Sequence, residues 1–456
     1  MAEHFDVIIV GARCAGSPLA TLLARAGMNV CLVDRAGFPS DTPSTHATQP
    51  SGVKIFQRLG VLEALLKVAP PIERGRFQID EIRIDVDGLT ELVGAPMLNV
   101  RRVTLDAILL EAAAEAGAEV RTQTGVTGLV EDGGRVVGVT TTAGELRAPL
   151  VVGADGARST VARLVGAAEY HRTPPGNVFL WSYLEGVPPG NDGVWLGKIG
   201  ADAFLASRTD SGLFMAAVVL AMDRREEVRR DREAAYAHGL SHWPDLHASL
   251  GDARRVGPVH MMSRWHGFFR EAAGPGWVLV GDAGHFKDPT PGQGIADALR
   301  QTVELAAAIE KALGGAAPAD QVFADWWAWR DQDAWEMYWF AHDMGAPGPT
   351  PLVLKEIQRG IAADPELTER FLRVLNHDLL PSEVFSPMLA LGGAFRAVVA
   401  NRGRRKAVLS ETWRIVAAQL RRRALAPRRP KWSSGSSANR SSGTRLVQVP
   451  LHPSQP

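Results

Sequence analysis

The chain has 456 residues, enough for two or three domains with a large buried core. Its 50 Lys and Arg residues balance 50 Asp and Glu residues, so the zero net charge gives no basis for electrostatic capture of nucleic acid or anionic lipid. No apolar run approaches the roughly 18 residues of a membrane span, and no signal peptide is evident. Cys14 and Cys31 provide neither a disulfide framework nor a metal-ligand spacing. We therefore expect a cytoplasmic protein without an integral membrane segment.

The first predicted element is a strand–turn–helix–strand unit in residues 6–35. A β-branched run ends at Gly11, a helix follows, and a second apolar strand ends at Asp34. An acid about 20 residues after a glycine turn is typical of dinucleotide sites, where helix N–H groups bind the pyrophosphate. In that role Gly11 permits the tight turn, Gly16 permits close helix–strand approach, and Asp34 accepts hydrogen bonds from a ribose.

Arg13 occupies the middle position where such turns carry a glycine. The segment alone therefore leaves two interpretations open: a dinucleotide site, or an ordinary strand–helix turn with an incomplete glycine pattern. In a true site the arginine must point away or join the site as a fixed positive charge near phosphate or flavin. We interpret the neighbouring Cys14 as a small residue that fills the turn rather than as a reactive thiol.

Two later motifs indicate which dinucleotide is bound. LVVGADGARSTVAR occupies residues 150–163, and WVLVGDAGHFKDPTPGQGIADALR occupies residues 277–300. In the second motif an apolar strand ends at Asp282, and a helix begins near Gly294 after a Pro/Gly-rich loop. Asp282 can bind a polyol hydroxyl, and the helix dipole can stabilise negative charge on a reduced ring. A nicotinamide dinucleotide would not need a second site of this kind. FAD would, because its ribityl chain and isoalloxazine ring extend away from the first turn.

With these motifs in this order, and R-x-x-L at residues 102–105, the chain resembles the FAD-dependent class A monooxygenases, which have the fold of p-hydroxybenzoate hydroxylase. The resemblance spans about residues 5–310. It implies that Gly11, Ala15 and Gly16 contact the FAD pyrophosphate, that Asp34 and Arg35 contact the adenosine, and that Val126 meets the adenine edge. Arg102 would lie near the phosphate–ribityl side and Asp282 at the ribityl chain, while Asp155 and Gly156 belong to a motif linked with FAD and NAD(P)H. The residues around the flavin ring would be Pro289, Gly292, Gly294 and Ile295.

His46 lies in the segment STHATQPSG, a loop that faces the flavin in the resembling family. The resemblance implies a substrate-binding or proton-handling role, although a capping or core role stays open. With Pro289 and Gly292, His46 completes the predicted catalytic set. Besides Arg13, the chain departs from the family at Ala296, where an asparagine is common.

The motifs predict an α/β fold with a Rossmann-like FAD-binding domain, a parallel sheet, an inserted substrate domain with a mixed or antiparallel sheet, and C-terminal helices. Strands of the inserted domain are predicted at residues 77–87, 178–185 and 214–222. We divide the chain into a discontinuous FAD-binding domain (1–72, 100–169 and 263–320), a substrate domain (73–99 and 170–262), a C-terminal helical region (321–426) and a disordered tail (427–456).

The aromatic residues allow two interpretations. The segment QVFADWWAWRDQDAWEMYWFAHDMG carries five of the twelve tryptophans, and Trp335 and Trp339 share a helical face. This face is predicted to be core at the domain junction, with an aromatic wall for a planar substrate as the alternative. Trp181, Phe204 and Phe214 are candidate pocket aromatics that fit a plain core equally well.

A histidine cluster, YAHGLSHWPDLH, lies in the predicted substrate domain. Its spacing allows metal ligation, but Gly239 and Pro244 interrupt a regular helix and no carboxylate-rich partner segment stands out. We therefore predict no metal.

The resemblance implies a monooxygenase in which NAD(P)H is a transient reductant and O2 supplies oxygen through a flavin hydroperoxide. A hydrophobic or aromatic small molecule, of the kind met in natural-product biosynthesis, would be hydroxylated or epoxidised. No second nucleotide-binding fold is evident, so NAD(P)H docks transiently or a separate flavin reductase acts. The alternatives are a geranylgeranyl reductase-like enzyme, a flavin-dependent halogenase and a non-catalytic flavin-binding protein. Residues 193–201 lack the proline of a signature that the reductase and halogenase families share.

Overall fold

The computed structural model describes residues 3–427, and it has an α/β fold. The predicted tail at 427–456 lies, apart from Pro427, outside the described residues. One sheet has six strands in the order Ala273–Gly274, Trp277–Leu279, Leu150–Gly153, Val7–Val10, Val30–Val33 and Glu119–Arg121.

The six-stranded sheet is parallel except at its first strand pair, which confirms the predicted parallel sheet. Every residue of Val7–Val10 and Val30–Val33 is buried, as in parallel sheets that are covered on both faces. The helices Gly16–Arg25, Arg102–Glu115 and Gly294–Leu313 pack together on this sheet. Their N-termini and the strand ends create the edge where ligands bind in such folds.

Smaller sheets and helices frame this edge. A four-stranded sheet contains Glu3–His4, Gly144–Arg147, Arg135–Thr141 and Val126–Asp132; a three-stranded sheet contains Glu169–Thr173, Gly267–Arg270 and His285–Phe286; and Ala47–Thr48 pairs with Leu98–Asn99. The shorter helices of the first 170 residues are Pro50–Leu59, Leu62–Val68, Leu89–Val93 and Thr160–Val165.

All strands of a seven-stranded mixed sheet come from residues 73–99 and 170–262. Its strand order is Arg254–Met262, Asn177–Glu185, Phe214–Ala221, Asp202–Arg208, Val194–Ile199, Gly75–Ile79 and Ile82–Val86. The single strand predicted at residues 77–87 is wrong, because the chain reverses at Asp80 and forms a hairpin. Asp80 adopts φ 51°, a left-handed conformation that aspartate tolerates better than most residues.

The two faces of the seven-stranded sheet have different neighbours. Phe179, Trp181 and Tyr183 alternate onto the face that packs toward the C-terminal helices. Phe204 and Phe214 lie on the opposite face, in a core with Trp243, under the helices Arg225–Arg230, Arg232–Ser241 and Pro244–Ser249. Of the two interpretations left open for the candidate pocket aromatics, the core interpretation therefore holds for Phe204 and Phe214, whereas Trp181 lines the cavity described below.

The C-terminal region is helical: Ala319–Met344, Leu352–Ala362, Pro365–Leu375, Pro381–Val384, Pro387–Ala400 and Arg405–Ala424. Trp335 is buried in a cluster with Phe269 and Tyr338, and Trp339 packs against that cluster. Neither tryptophan lines the cavity described below, so the core interpretation of this helix is confirmed. Among the described residues, we find no helix with the length and apolarity that crossing a bilayer requires.

Candidate active site

A cavity of about 710 Å³ opens at the carboxyl ends of the parallel strands and extends to the seven-stranded sheet. Its size suits a small-molecule or cofactor site. All the predicted FAD-binding and catalytic residues except Gly16 line it: Gly11, Arg13, Ala15, Asp34, Arg35, His46, Arg102, Val126, Asp155, Gly156, Asp282, Pro289, Gly292, Gly294 and Ile295.

The first turn is packed as tightly as its glycines predict. Gly11 has φ 104°, and a Cβ atom there would lie 2.5 Å from the Ala154 carbonyl oxygen. A Cβ atom on Gly16 would lie 1.8 Å from the Gly11 carbonyl oxygen. Gly16 therefore lets the helix approach the turn closely, but it does not line the cavity. The helix Gly16–Arg25 has no side-chain cap, which leaves its first N–H groups available to an anion.

Asp34 shapes the turn and faces the cavity. Its carboxylate accepts hydrogen bonds from the backbone N–H groups of Ala12 and Ala36, both at 2.8 Å. The Thr124 N–H donates to the Asp34 carbonyl oxygen, which places the strand start at Val126 beside Arg35. The three predicted adenosine contacts, Asp34, Arg35 and Val126, thus lie together.

Arg13 joins the cavity wall rather than pointing to solvent. Its Nη1 lies 2.7 Å from the Asp106 carboxylate, and its Nη2 donates to Ser40 Oγ at 2.9 Å. The fully buried Asp106 also accepts from Arg102 Nε at 2.9 Å, so two guanidinium groups share one carboxylate. Burial raises the pKa of the Cys14 thiol, which agrees with the interpretation of Cys14 as a packing residue.

Asp155 acts on the backbone of its own motif. Its carboxylate accepts from the Thr160 N–H at 2.6 Å and from the Ser159 hydroxyl, so it stabilises the start of the helix Thr160–Val165. Gly156 has φ 77°, and a Cβ atom there would meet nothing within 4 Å. Asp155 and Gly156 both line the cavity, and the backbone at Gly156 leaves open space there.

Hydrogen bonds hold the backbone on both sides of Asp282, whereas its carboxylate accepts no hydrogen bond from a described residue. The Gly281 N–H donates to Gln301 Oε1 at 3.0 Å, and Arg270 Nη1 donates to the Ala283 carbonyl at 2.7 Å. The Asp282 carboxylate accepts no hydrogen bond from any residue that the structure describes. Burial raises its pKa to about 6, although the Arg102 guanidinium opposes this shift.

Lys287 is a site residue that the sequence interpretation missed. It is buried, with Nζ 2.7 Å from Asp297 Oδ2 and 2.7 Å from Gln293 Oε1. Burial disfavours the Asp297 carboxylate, but Lys287 and a contact with His377 outweigh burial and hold the pKa of Asp297 below its usual range. A lysine in a Gly/Pro-rich loop was the only signal, and sequence spacing does not reveal its partner.

His46 forms a buried pair with Tyr183. Its backbone has φ 63°, supported by a hydrogen bond from the His46 N–H to Ser44 Oγ, and its Nε2 is hydrogen-bonded to the Tyr183 hydroxyl. Nδ1 is buried and has no hydrogen-bond partner among the described residues. Burial, aided by the Arg102 guanidinium, lowers the pKa of His46 to about 3, so the imidazole is neutral.

These features fit FAD. The helices Gly16–Arg25 and Gly294–Leu313 have no side-chain cap at their N-termini, so their free N–H groups would suit a pyrophosphate and a ring that gains negative charge. The Asp282 carboxylate is an unused acceptor that would suit ribityl hydroxyls. A Cβ atom on Gly294, as on Gly156, would enter open space. When bound, FAD supplies the redox chemistry, and the chain supplies binding and orientation.

The histidine cluster shows packing and ion pairing. His242 Nδ1 lies 2.9 Å from the Asp202 carboxylate, and its ring contacts the ring of His238. Within residues 3–427 we find no group of three or more His, Cys, Asp or Glu side chains placed to hold a metal ion.

Comparison with known proteins agrees with this geometry. A family described as "FAD binding domain" matches residues 4–324. Menaquinone reductase of Mycolicibacterium smegmatis is 30% identical over 328 residues, which are 68% of this chain and 77% of the relative. The 6-methylpretetramide 4-monooxygenase of Streptomyces rimosus is 28% identical over 323 residues, 66% of this chain and 74% of the relative.

A solved structure supports the fold. The flavin-dependent brominase Bmp2 superposes with a TM-score of 0.73 at 21% identity, over 88% of this chain and 99% of the brominase. The family match, the two relatives and the cavity built by three separated motifs lead to one conclusion: the chain belongs to the FAD-binding family of class A flavoprotein monooxygenases and is an FAD-dependent oxidoreductase.

Proposed function

We propose that this protein is a monooxygenase that hydroxylates or epoxidises a hydrophobic or aromatic small molecule, with NAD(P)H as transient reductant and O2 as oxygen source. The observation that carries the proposal is the composition of the cavity beyond the FAD motifs. There its wall is formed by Phe179, Trp181, Met262 and Phe286, which offer flat and polarisable apolar surface. Such a wall suits a planar or hydrophobic substrate and excludes water from the reacting atoms.

His46 and Tyr183 are the proposed polar groups of the substrate side. The neutral His46 ring carries a single proton, and its hydrogen bond to Tyr183 leaves Nδ1 free for a substrate group. Pro289 and Gly292 would shape the opposite wall, where Gly292 has φ 65°. Reducing equivalents would come from NAD(P)H that docks transiently or from a separate flavin reductase.

An anaerobic absorbance experiment tests the proposal. The purified protein should show flavin bands that NADPH or NADH bleaches and that air restores. Aromatic substrates should accelerate the bleaching or the return of colour, and product should contain oxygen from isotopically labelled O2. If the flavin bleaches only after a flavin reductase is added, the reducing equivalents come from a partner protein. Product that forms equally well without O2 would contradict monooxygenation.

The His46→Asn variant should lose substrate-dependent turnover by roughly 10²-fold while keeping its FAD, because a positioned proton donor or acceptor contributes about that factor. Asparagine tolerates the left-handed backbone, which makes misfolding a poor explanation for a loss. Since the pKa of His46 is lowered to about 3, the wild-type rate should show no inflection from this residue between about pH 5 and 8.

Tyr183→Phe is the matched control, because it keeps the ring and removes only the hydroxyl that bonds to His46. We expect a smaller loss of turnover in this variant, with unchanged FAD content. If His46→Asn and wild type turn over equally, the catalytic assignment of His46 is wrong and its role is packing.

The second candidate function is reduction of a double bond in a hydrophobic substrate, which the relative named menaquinone reductase favours. Reduction would proceed without O2, so the anaerobic experiment separates the two candidates. A non-catalytic flavin protein has less support, because Ala296 has a packing explanation. It is buried where helix Gly294–Leu313 crosses Gly52, and a Cβ atom on Gly52 would lie 3.2 Å from Ala296 Cα.

A further inference from the structure

Two C-terminal helices, Pro387–Ala400 and Arg405–Ala424, leave apolar stripes exposed to solvent. The first stripe contains Met388, Leu391, Phe395 and Val399, and the second contains Leu409, Trp413, Val416 and Leu420. Both stripes follow a spacing of three or four residues, which aligns side chains on one helical face. We call these eight residues the C-terminal apolar surface.

This exposure is concentrated rather than scattered. Met388 is 80% exposed, Phe395 71% and Trp413 70%. Among the residues that the structure describes, the large exposed hydrophobics outside residues 388–425 are Val68 and Val256, at 38% and 36%. Contiguous apolar patches on a folded protein mark interaction sites, whereas single exposed residues need no explanation.

The same segment is strongly basic. Residues 388–425 contain nine Arg and Lys residues and one acidic residue, Glu411. Arg422 pairs with Asp343, but Arg404, Arg405, Arg421 and Arg423 form no ion pair with a described residue. The zero net charge of the whole chain therefore conceals a local excess of positive charge in this segment.

Charge and apolar surface together identify the partner. Exposed Phe and Leu on the first helix, exposed Trp and Leu on the second, and unpaired Arg residues in the same segment resemble the composition of helices that lie in the headgroup region of an anionic bilayer. A second copy of the chain would bring like charges together, and residues 428–456 add five basic and no acidic residues. We propose that the C-terminal apolar surface docks the protein on anionic phospholipid, as a peripheral contact rather than a membrane span.

Vesicle co-sedimentation of the FAD-loaded full chain tests this proposal. The protein should pellet with phosphatidylcholine vesicles that contain phosphatidylglycerol, and at least about tenfold less with pure phosphatidylcholine, because basic side chains interact with anionic headgroups. High salt should weaken the binding, because surface charge attraction is screened. Failure to bind the anionic vesicles at low salt would overturn the proposal.

Two sets of variants separate the apolar and charged contributions. Phe395→Ser with Trp413→Ser should reduce binding at least about tenfold, as should glutamine at Arg404, Arg405, Arg421 and Arg423. Val256→Ser, an exposed apolar residue elsewhere, is the matched control and should bind like wild type. Retained FAD confirms that each variant is folded. Unchanged binding by Phe395→Ser with Trp413→Ser, or a wild-type dimer that these substitutions convert to monomer, would overturn the proposal.

Discussion

Replacing Asp282 with alanine should weaken FAD binding by roughly 10- to 100-fold, because a hydrogen bond to a charged group contributes about 1.5–3 kcal/mol. Hydrogen bonds to Gly281 and Ala283 hold the backbone on either side of Asp282, which lines the cavity, and its carboxylate accepts no hydrogen bond from a described residue. FAD per protein after gel filtration, and the fluorescence of FAD released on dilution, measure the effect. Normal loading of Asp282→Ala would rule out the ribityl assignment.

The pH dependence of the apoprotein provides an independent readout of the same carboxyl. Burial raises the pKa of Asp282 from 3.8 to about 6, so its charged form destabilises the folded apoprotein as pH rises through that range. At pH 8, apo Asp282→Asn should therefore be more stable than the wild-type apoprotein by up to about 3 kcal/mol, and this advantage should vanish near pH 4.

Asp155→Asn is a useful contrast to Asp282→Ala. Both aspartates belong to predicted FAD motifs, but the Asp155 carboxylate bonds to the start of helix Thr160–Val165. The Asp155→Asn variant should lose about 0.5–2 kcal/mol of stability, as for other helix N-terminal hydrogen bonds. Its FAD affinity should change much less than that of Asp282→Ala. Equal FAD loss in the two variants would mean that Asp282 acts only through local structure.

The sequence motifs predicted the FAD-binding half of the molecule well, because each motif encodes a local geometry. Gly16 stands where a Cβ atom would collide with the Gly11 carbonyl oxygen, and Asp282 comes three residues after the end of the buried strand Trp277–Leu279. Such constraints act within a few residues, so a linear pattern records them. The parallel orientation of Val7–Val10 and Val30–Val33 follows from the helix Gly16–Arg25 between them.

The substrate side could not be predicted as fully. Strand Asn177–Glu185 is buried on both faces, so alternation of apolar and polar residues does not identify the face that carries the pocket. The strands that carry Phe204 and Phe214 are likewise buried on both faces, so the sequence left pocket and core equally open for these two residues. The hairpin at Asp80 lacks the glycine that usually marks a two-residue turn, and the His46–Tyr183 pair joins residues 137 positions apart.

The largest expected loss of stability follows from a contact inside the motif at residues 277–300 that the sequence pattern did not reveal. Lys287→Met removes the ammonium group 2.7 Å from Asp297 and leaves a buried carboxylate without its main compensating charge. Removing one partner of a buried ion pair typically costs about 3–5 kcal/mol. Denaturant unfolding of FAD-loaded and FAD-free protein should show a loss of that size. Lys311→Met, an exposed lysine on the same helix as Asp297, should change stability by less than about 0.5 kcal/mol.

Two further measurements identify the ion pair as the cause. The double variant Lys287→Met with Asp297→Asn removes both charges and should recover more than half of the loss, because no uncompensated charge is left buried. The depressed pKa of Asp297 means that its contribution is present above about pH 4 and is lost as pH falls through the lower folded-state value. The deficit of Lys287→Met should therefore shrink in acid. If the losses of the single variants simply add in the double variant, the two side chains are not coupled, and Lys287 stabilises the loop through Gln293 alone.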